Sequence, residues 1–198
     1  MQDTTTWICS WLVVTVFVAI VVAPVCGQGK IEREFRIDPG EAPETAKSWL
    51  REAYGEPRKL KWYFEETSGK SSYEAKYVFD GAAHSVEFNL SGEIEDIEIE
   101  TSWEELPEVC RESISAYLHG TFKKYRIEKI QIQYTGAPRD LSNWAKKKNS
   151  WKIQTHYEIE YYGETDSSKQ LWEGLFSETG ALIRQREIPI PSTNHLFF

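Results

Sequence analysis

The chain has 198 residues, with 23 Lys and Arg against 31 Asp and Glu, a net charge of −8 and an isoelectric point near 5.2. An acidic balance of that size argues against nucleic acid as the main partner and against an anionic lipid surface. Of three cysteines only Cys110 lies beyond residue 27, so no internal disulfide is expected in the body and an apolar core must hold it together.

The apolar run from Trp11 to Val25 is shorter than the roughly 20 residues of a membrane span and matches the core of a signal peptide. Pro24 and the small Val25-Cys26-Gly27 stretch supply a cleavage region, with Gln28 as the new N-terminus. Asp3, and the lack of Lys or Arg ahead of the run, depart from that pattern. A retained N-terminal membrane anchor is the alternative, and lipidation at Cys26 a weaker one, because Ala-Pro-Val is a poor lipobox. Without residues 1–27 the chain keeps 171 residues at a net charge of −7. The expected location is periplasmic or secreted, membrane-anchored if the segment is retained.

Residues 28–42 are polar, contain Pro39-Gly40 and read as a lead-in segment. A pattern then occurs twice, over 43–101 and 102–189, leaving 190–198 as a tail. In the first copy Pro43 opens a helix. Ala46, Trp49, Leu50, Ala53 and Tyr54 form its apolar stripe, and Gly55 and Pro57 end it. Strands follow at 59–66, 72–80, 83–90 and Ile94–Ile99, with Leu60, Trp62, Phe64, Tyr73, Ala75, Tyr77, Phe79, His84, Val86, Phe88 and Leu90 on one face. Such period-two alternation predicts an antiparallel sheet with one covered face. The odd spacing of Ile94 and Ile97 predicts a bulge near Glu95-Asp96.

The second copy opens either on a capping box of Ser102 and Glu105 or at Pro107. Leu106, Cys110, Ile114, Tyr117 and Leu118 line its helix, which His119-Gly120 ends. Four strands are expected at 126–134, 151–162, 169–177 and 181–188, with a long loop at 135–150. The copies echo one another. Pro43-Glu44 answers Pro107-Glu108, and Phe88-Asn89-Leu90-Ser91-Gly92 answers Phe176-Ser177-Glu178-Thr179-Gly180. The expected fold class is α+β, as two tandem helix-plus-four-strand (αββββ) repeats.

Leu106-Pro107-Glu108 opening a helix, Tyr73-Glu74-Ala75 in a strand and the Phe88-Asn89-Leu90-Ser91-Gly92-Glu93 hairpin resemble the PepSY-like, β-lactamase-inhibitor-like proteins of the bacterial envelope. The resemblance is best over 43–134 and runs more loosely to 189. It implies two helix-plus-sheet units with their sheets side by side, often forming a concave surface. It also implies protein binding, with inhibition of a secreted enzyme in some relatives. Fold likeness alone carries no function.

The residues point away from catalysis. His84, His119, His156 and His195 have no metal-motif spacing, and no Gly-x-Ser-x-Gly elbow or phosphate loop occurs. Cys110 lies between Leu106 and Ile114 on an apolar stripe, where burial makes a thiol inert. We therefore expect no enzyme, cofactor or metal. The expected partner is another protein or peptide. Candidate contacts are Tyr63, His156 and Tyr162 on the open sheet face, and the loop bearing Trp144 with the basic run Lys146, Lys147 and Lys148. Glu93–Glu100 and its counterpart with Arg184 and Arg186 carry opposite charges that could set how the halves meet, or guard sheet edges. The specific version of this reading is an inhibitor or regulator of an envelope or secreted hydrolase that occludes its cleft. The alternative is an envelope structural, assembly or sensory protein with no enzyme target. A small-ligand carrier or enzyme would need a deep pocket. As an exposed hot spot, Trp144 should tolerate truncation to Ala with little change in melting temperature.

Overall fold

Alternation of apolar and polar side chains along a strand gives a sheet one face to bury and one to leave open. The computed structural model, which describes residues 33–67, 69–148 and 152–189, builds nine such strands into one antiparallel sheet in sequence order. The expected signal segment, residues 28–32, Trp151 and the 190–198 tail lie outside the described residues. The strands are β1 (Arg33–Ile37), β2 (Arg58–Thr67), β3 (Lys70–Phe79), β4 (Ala82–Phe88), β5 (Ile94–Glu100), β6 (Lys124–Thr135), β7 (Gln154–Glu164), β8 (Lys169–Ser177) and β9 (Leu182–Ile188). The helices are α1 (Glu44–Tyr54), α2 (Glu108–Thr121) and α3 (Pro138–Ala145).

The helices start where Pro fixes the backbone. Pro43 and Pro107 are the residues just before α1 and α2, so each helix begins one residue later than the sequence suggests. Both proposed openings of the second helix are used. Ser102 and Glu105 form a capping box on a short 3₁₀ turn, Trp103–Glu105, and the α-helix starts after Pro107. Gly55, at φ 70°, stops α1 and donates its N–H to the Arg51 carbonyl.

The pairing of β5 with β6 joins the strand sets. Ile97 lies opposite Tyr134 and Ile99 opposite Ile132, so the apolar positions of β5 and β6 share one face. All three helices consequently pack on that face. One core gathers Ala46, Leu50, Trp62, Ala75, Val86 and Ile97 under α1 and α3; the other gathers Cys110, Ile114, Leu118, Ile159, Tyr161 and Phe176 under α2. The sheets are therefore one continuous sheet rather than two lying side by side. β5 meets β6, and β9 with Arg184 and Arg186 stands at the far edge, so those arginines do not bring the halves together.

The two turns against the helix starts are built alike. Asn89 N–H donates to the Glu93 carbonyl and Gly92 N–H to the Asn89 carbonyl; Ser177 and Gly180 repeat this with Ala181 and Ser177. Gly92 (φ 79°) sits against Pro43, Thr45 and Ala46 of α1, and Gly180 (φ 78°) against Cys110 and Ser113 of α2, with no room for a Cβ. Each hairpin carries the same slip, Phe88 pairing with Ile94 after Glu87 pairs with Asp96, and Phe176 with Leu182 after Leu175 pairs with Arg184. The expected bulge at Glu95 is the first of these.

Three expectations need correction. The lead-in contributes β1, an edge strand pairing Phe35 with Phe64 and Ile37 with Trp62. The long loop folds into α3 over Pro138–Ala145, which packs on α1 and β5. Leu60 is 36% exposed instead of inward, because the β2 register slips between Arg58 and Lys61 around Lys59 at φ 58°.

Trp62, 1% exposed, is core as its phase predicts. Trp144 is partly buried, its ring centre 4.1 Å from that of Tyr134 at a tilt of 34°, which removes the exposure expected of it. In urea titration Trp62→Ala should cost roughly 3–5 kcal/mol, as for a buried large-to-small change. Trp144→Ala should cost about 1–3 kcal/mol, less because its burial is partial. Indifference at Trp62 would show the strand phase to be wrong.

Candidate functional site

With the helices all on one side, the opposite face of the sheet stays open, and it is concave. A trough of about 530 Å³ crosses it, lined from Glu34 on β1 to Arg184 and Arg186 on β9. Right-handed twist and the bulges curl such a sheet. The lining holds nine carboxyl side chains (Glu34, Glu65, Glu74, Glu87, Asp96, Glu98, Glu158, Glu160 and Glu173) against five Lys or Arg. Its remaining members include the amides Gln131 and Gln133, Ser85 and Leu175.

The register decides which charges meet. Across β2, β3, β4 and β5, Tyr63 faces Glu74, Glu74 faces Glu87 and Glu87 faces Asp96. Three acids thus stand in one unbroken rank, an arrangement in which like charges repel. The cations of the lining are largely committed nearby. Lys76 Nζ lies 3.0 Å from Glu34 Oε2 and 3.0 Å from Glu74 Oε2, and Lys70 Nζ lies 3.2 Å from Glu87 and 2.8 Å from Glu95. Arg186 pairs with Glu173, and Lys129 stands 3.7 Å from Glu160. At the centre, Asp96, Glu98 and Glu158 make no salt bridge among the described residues. Glu98 is held by amides instead, accepting from Gln131 Nε2 at 2.9 Å and Gln133 Nε2 at 3.2 Å.

Burial and mutual repulsion keep protons on this floor. Burial raises Glu98 to about 7, with Glu74 adding to the shift, and raises Glu65 to about 9, with Glu74 and Glu87 adding. Asp96 is raised by burial, Glu98 and Glu87; Glu158 is raised by burial, Glu98 and Glu173, with Arg186 and Lys129 opposing. Burial depresses the Lys76 ammonium, but Glu74 and Glu34 together carry it above its ordinary value. Glu34, Glu65 and Glu74 bring carboxylate oxygens within 4.8 Å of one another, as divalent-cation ligands would. The Lys76 ammonium already contacts two of them and supplies the positive charge there.

The residues singled out from the sequence divide between the two faces. Tyr63, His156 and Tyr162 are on the open face but outside the trough lining. Lys76 lies 5.0 Å from the Tyr63 ring centre, and Arg126 and Lys169 each lie 5.3 Å from that of Tyr162. Trp144, Lys146 and Lys147 belong to α3 and its end on the helix side, where Lys146 pairs with Glu52 at 2.6 Å and Trp49 Nε1 donates to Ser142 at 2.6 Å. Lys148 is exposed beyond them. One flat partner contact cannot take in both groups. A smaller cavity of about 470 Å³ on the helix side, between Tyr54, Phe79, His84 and Ile99, is lined by Trp144 and Lys147.

Cys110 is fully buried, its thiol donating to the Glu178 carbonyl at 2.6 Å, and burial raises its pKa. His84, 7% exposed, stacks on Tyr77, and burial lowers its pKa. Strand alternation puts Glu65, Glu74, Glu87, Glu158 and Glu160 on the open face, yet nothing in it shows that they share a trough. Alternation reveals the face of a side chain, not the curvature that withdraws it from water.

Stability should therefore fall as pH rises. In the unfolded chain Glu65 and Glu98 titrate near 4.5, whereas in the folded chain they hold protons to about 9 and about 7. Between those limits the native state binds more protons, so raising pH favours unfolding. Glu44, Glu52 and Glu105 are lowered by their partners and add stability only as pH rises through the ordinary carboxylate range, below that window. Melting temperature should decline from about pH 5 to pH 9, and Glu98→Gln should flatten the decline. A melting temperature that rises over this interval would contradict the buried-acid account.

No protein-family model matches the chain, and no curated protein sequence is similar to it. Its fold is similar to solved structures of low sequence identity. A DUF2874 family protein from Bacteroides uniformis is 16% identical at a TM-score of 0.52, over 74% of this chain and 89% of that one. A protein of proposed periplasmic location from Bacteroides eggerthii is 17% identical at 0.53, over 75% and 91%. A DUF2874 family protein from Bacteroides ovatus is 15% identical at 0.52, over 74% and 87%. At these identities the likeness is one of fold: an α+β chain with an open antiparallel sheet.

Proposed function

We propose that this chain is an exported protein-binding module that presents the concave open face of its sheet to a partner. The observation that carries the reading is the trough itself. It spans the strands from β1 to β9 on the face opposite all three helices, and its floor is charged and mutually repelling where a solvated face would be dispersed. Small-molecule sites of comparable volume are mostly apolar with few polar groups; this lining is the reverse. Export is supported by the apolar N-terminal run and the fold likeness to a protein of proposed periplasmic location.

The finer parts of the reading rest on internal likeness. The matching turns at 89–93 and 177–181 and the matching slips in both hairpins support descent from a doubled αββββ unit of PepSY-like type, with α3 inserted in the second copy. On that basis the partner would be an envelope or secreted hydrolase whose cleft the sheet face occludes. Raised carboxyl groups in a cleft also favour a second reading, acid–base catalysis. Such catalysis works with neighbours whose proton affinities are driven apart, whereas Asp96, Glu98, Glu158 and Glu65 all move upward together. That pattern supports binding over catalysis.

The test is quantitative cross-linking of full-length protein to envelope extract, comparing Glu98→Lys with Glu158→Lys in the trough and Glu108→Lys with Glu112→Lys on exposed α2. Capture should fall at least tenfold for the trough pair and persist for the helix pair. Capture lost only with the helix pair, or no saturable capture by any form, would overturn the reading.

A further inference from the structure

We infer that the trough receives an extended, lysine- or arginine-bearing segment of the partner protein, its cations lying over Asp96, Glu98 and Glu158. This rests on the trough being the binding face and adds the chemistry of what enters it. The first ground is charge complementarity. Nine carboxyl groups face five cations, and Lys70, Lys76, Lys129 and Arg186 each already stand beside a carboxylate of their own. The central three acids make no salt bridge among the described residues.

The second ground is the register. The Glu74–Glu87–Asp96 rank is fixed by backbone pairing and cannot relax by strand choice. Directly opposed like charges destabilise a sheet, and conflicts of that kind in natural chains concentrate at functional sites. Lys76 and Lys70 meet Glu74 and Glu87 of this rank, whereas Asp96 at its end has no salt bridge among the described residues, and a cationic segment laid across the strands would supply the missing charge there.

The third ground is preorganisation. Gln131, 6% exposed and opposite Glu158, and Gln133, opposite Glu98, direct their amides onto Glu98. Each carboxylate oxygen so engaged keeps a further acceptor position. A guanidinium or ammonium would find a fixed acceptor instead of a mobile surface chain, at low cost in side-chain ordering. The occupant is a protein segment and not a bound metal, because among the described residues the trio of carboxylates spaced for a cation, Glu34, Glu65 and Glu74, already has the Lys76 ammonium on two of its members. A volume of about 530 Å³ has room for a few side chains, not for a folded domain.

The experiment measures anisotropy of labelled nine-residue peptides, Arg/Ser, Lys/Ser, Gln/Ser and Glu/Ser, against full-length protein at two salt concentrations. The Arg and Lys peptides should bind at least tenfold more tightly than the Gln and Glu peptides, and more weakly at higher salt. Glu98→Gln and Glu158→Gln should each weaken binding at least fivefold while raising the melting temperature at pH 8, since each relieves repulsion. Glu108→Gln and Glu112→Gln on α2 should leave binding unchanged. Equal binding of the Glu peptide, equal loss in the α2 variants, or trough variants that bind normally would each overturn the inference. The two readings fail separately. A partner captured through the trough by an acidic or neutral segment removes the cationic occupant alone, whereas capture through the helix side removes the binding face itself.

Discussion

The pairing of β5 with β6 is the constraint from which the remaining features follow. Had the strand sets met with a one-residue offset, the apolar positions of one set would have turned to the opposite face of the sheet. Because Ile97 meets Tyr134 and Ile99 meets Ile132, apolar side chains accumulate on one side and polar ones on the other, across all nine strands. Helices go where apolar surface is, so α1, α2 and α3 share that side. Among the described residues nothing covers the other side, and its acids and bases become neighbours in ranks set by hydrogen bonds between strands.

That arrangement puts cost and opportunity in the same place. On a flat sheet, water would screen the ranks and the carboxylates would ionise independently. Curling withdraws them, and repulsion is relieved by retaining protons or by the cations of the lining. Lys76 does so at one end by contacting both Glu34 and Glu74, and Arg186 at the other through Glu173. The centre has amides where the ends have cations, so Glu98 is oriented by hydrogen bonds and has no salt bridge among the described residues.

Much of this fold is legible in the sequence, for a physical reason. Strand phase is a period-two property, and eight of the strands, the covered face, the bulge at Glu95 and the burial of Cys110 and Trp62 all follow from side chains within a few residues. What is not legible depends on distant partners. β1 is five residues of mixed charge, and it becomes a strand because β2 offers an edge and Trp62 and Phe64 offer apolar cover. α3 is too short to be stable by itself; Ser142 on Trp49, Lys146 on Glu52 and Trp144 on Tyr134 hold it in place. The trough is likewise invisible, since its residues come from every strand and only the curvature of the whole sheet makes them one site.

The α3 segment shows how a conspicuous stretch of sequence can serve the core. Its tryptophan and neighbouring lysines stand out in the sequence. In the structure its contacts run inward, to α1, β5 and Tyr134, and it extends the core over the first half. A tryptophan beside a basic run is equally the signature of an interface hot spot and of a short helix anchored by one large side chain, and composition alone does not separate the two. Register does separate the faces. Trp144 lies on the side that folding needs, whereas Asp96, Glu98 and Glu158 lie on the side that folding would be better off without. Groups that strain the sheet are the ones through which we propose that it meets a partner.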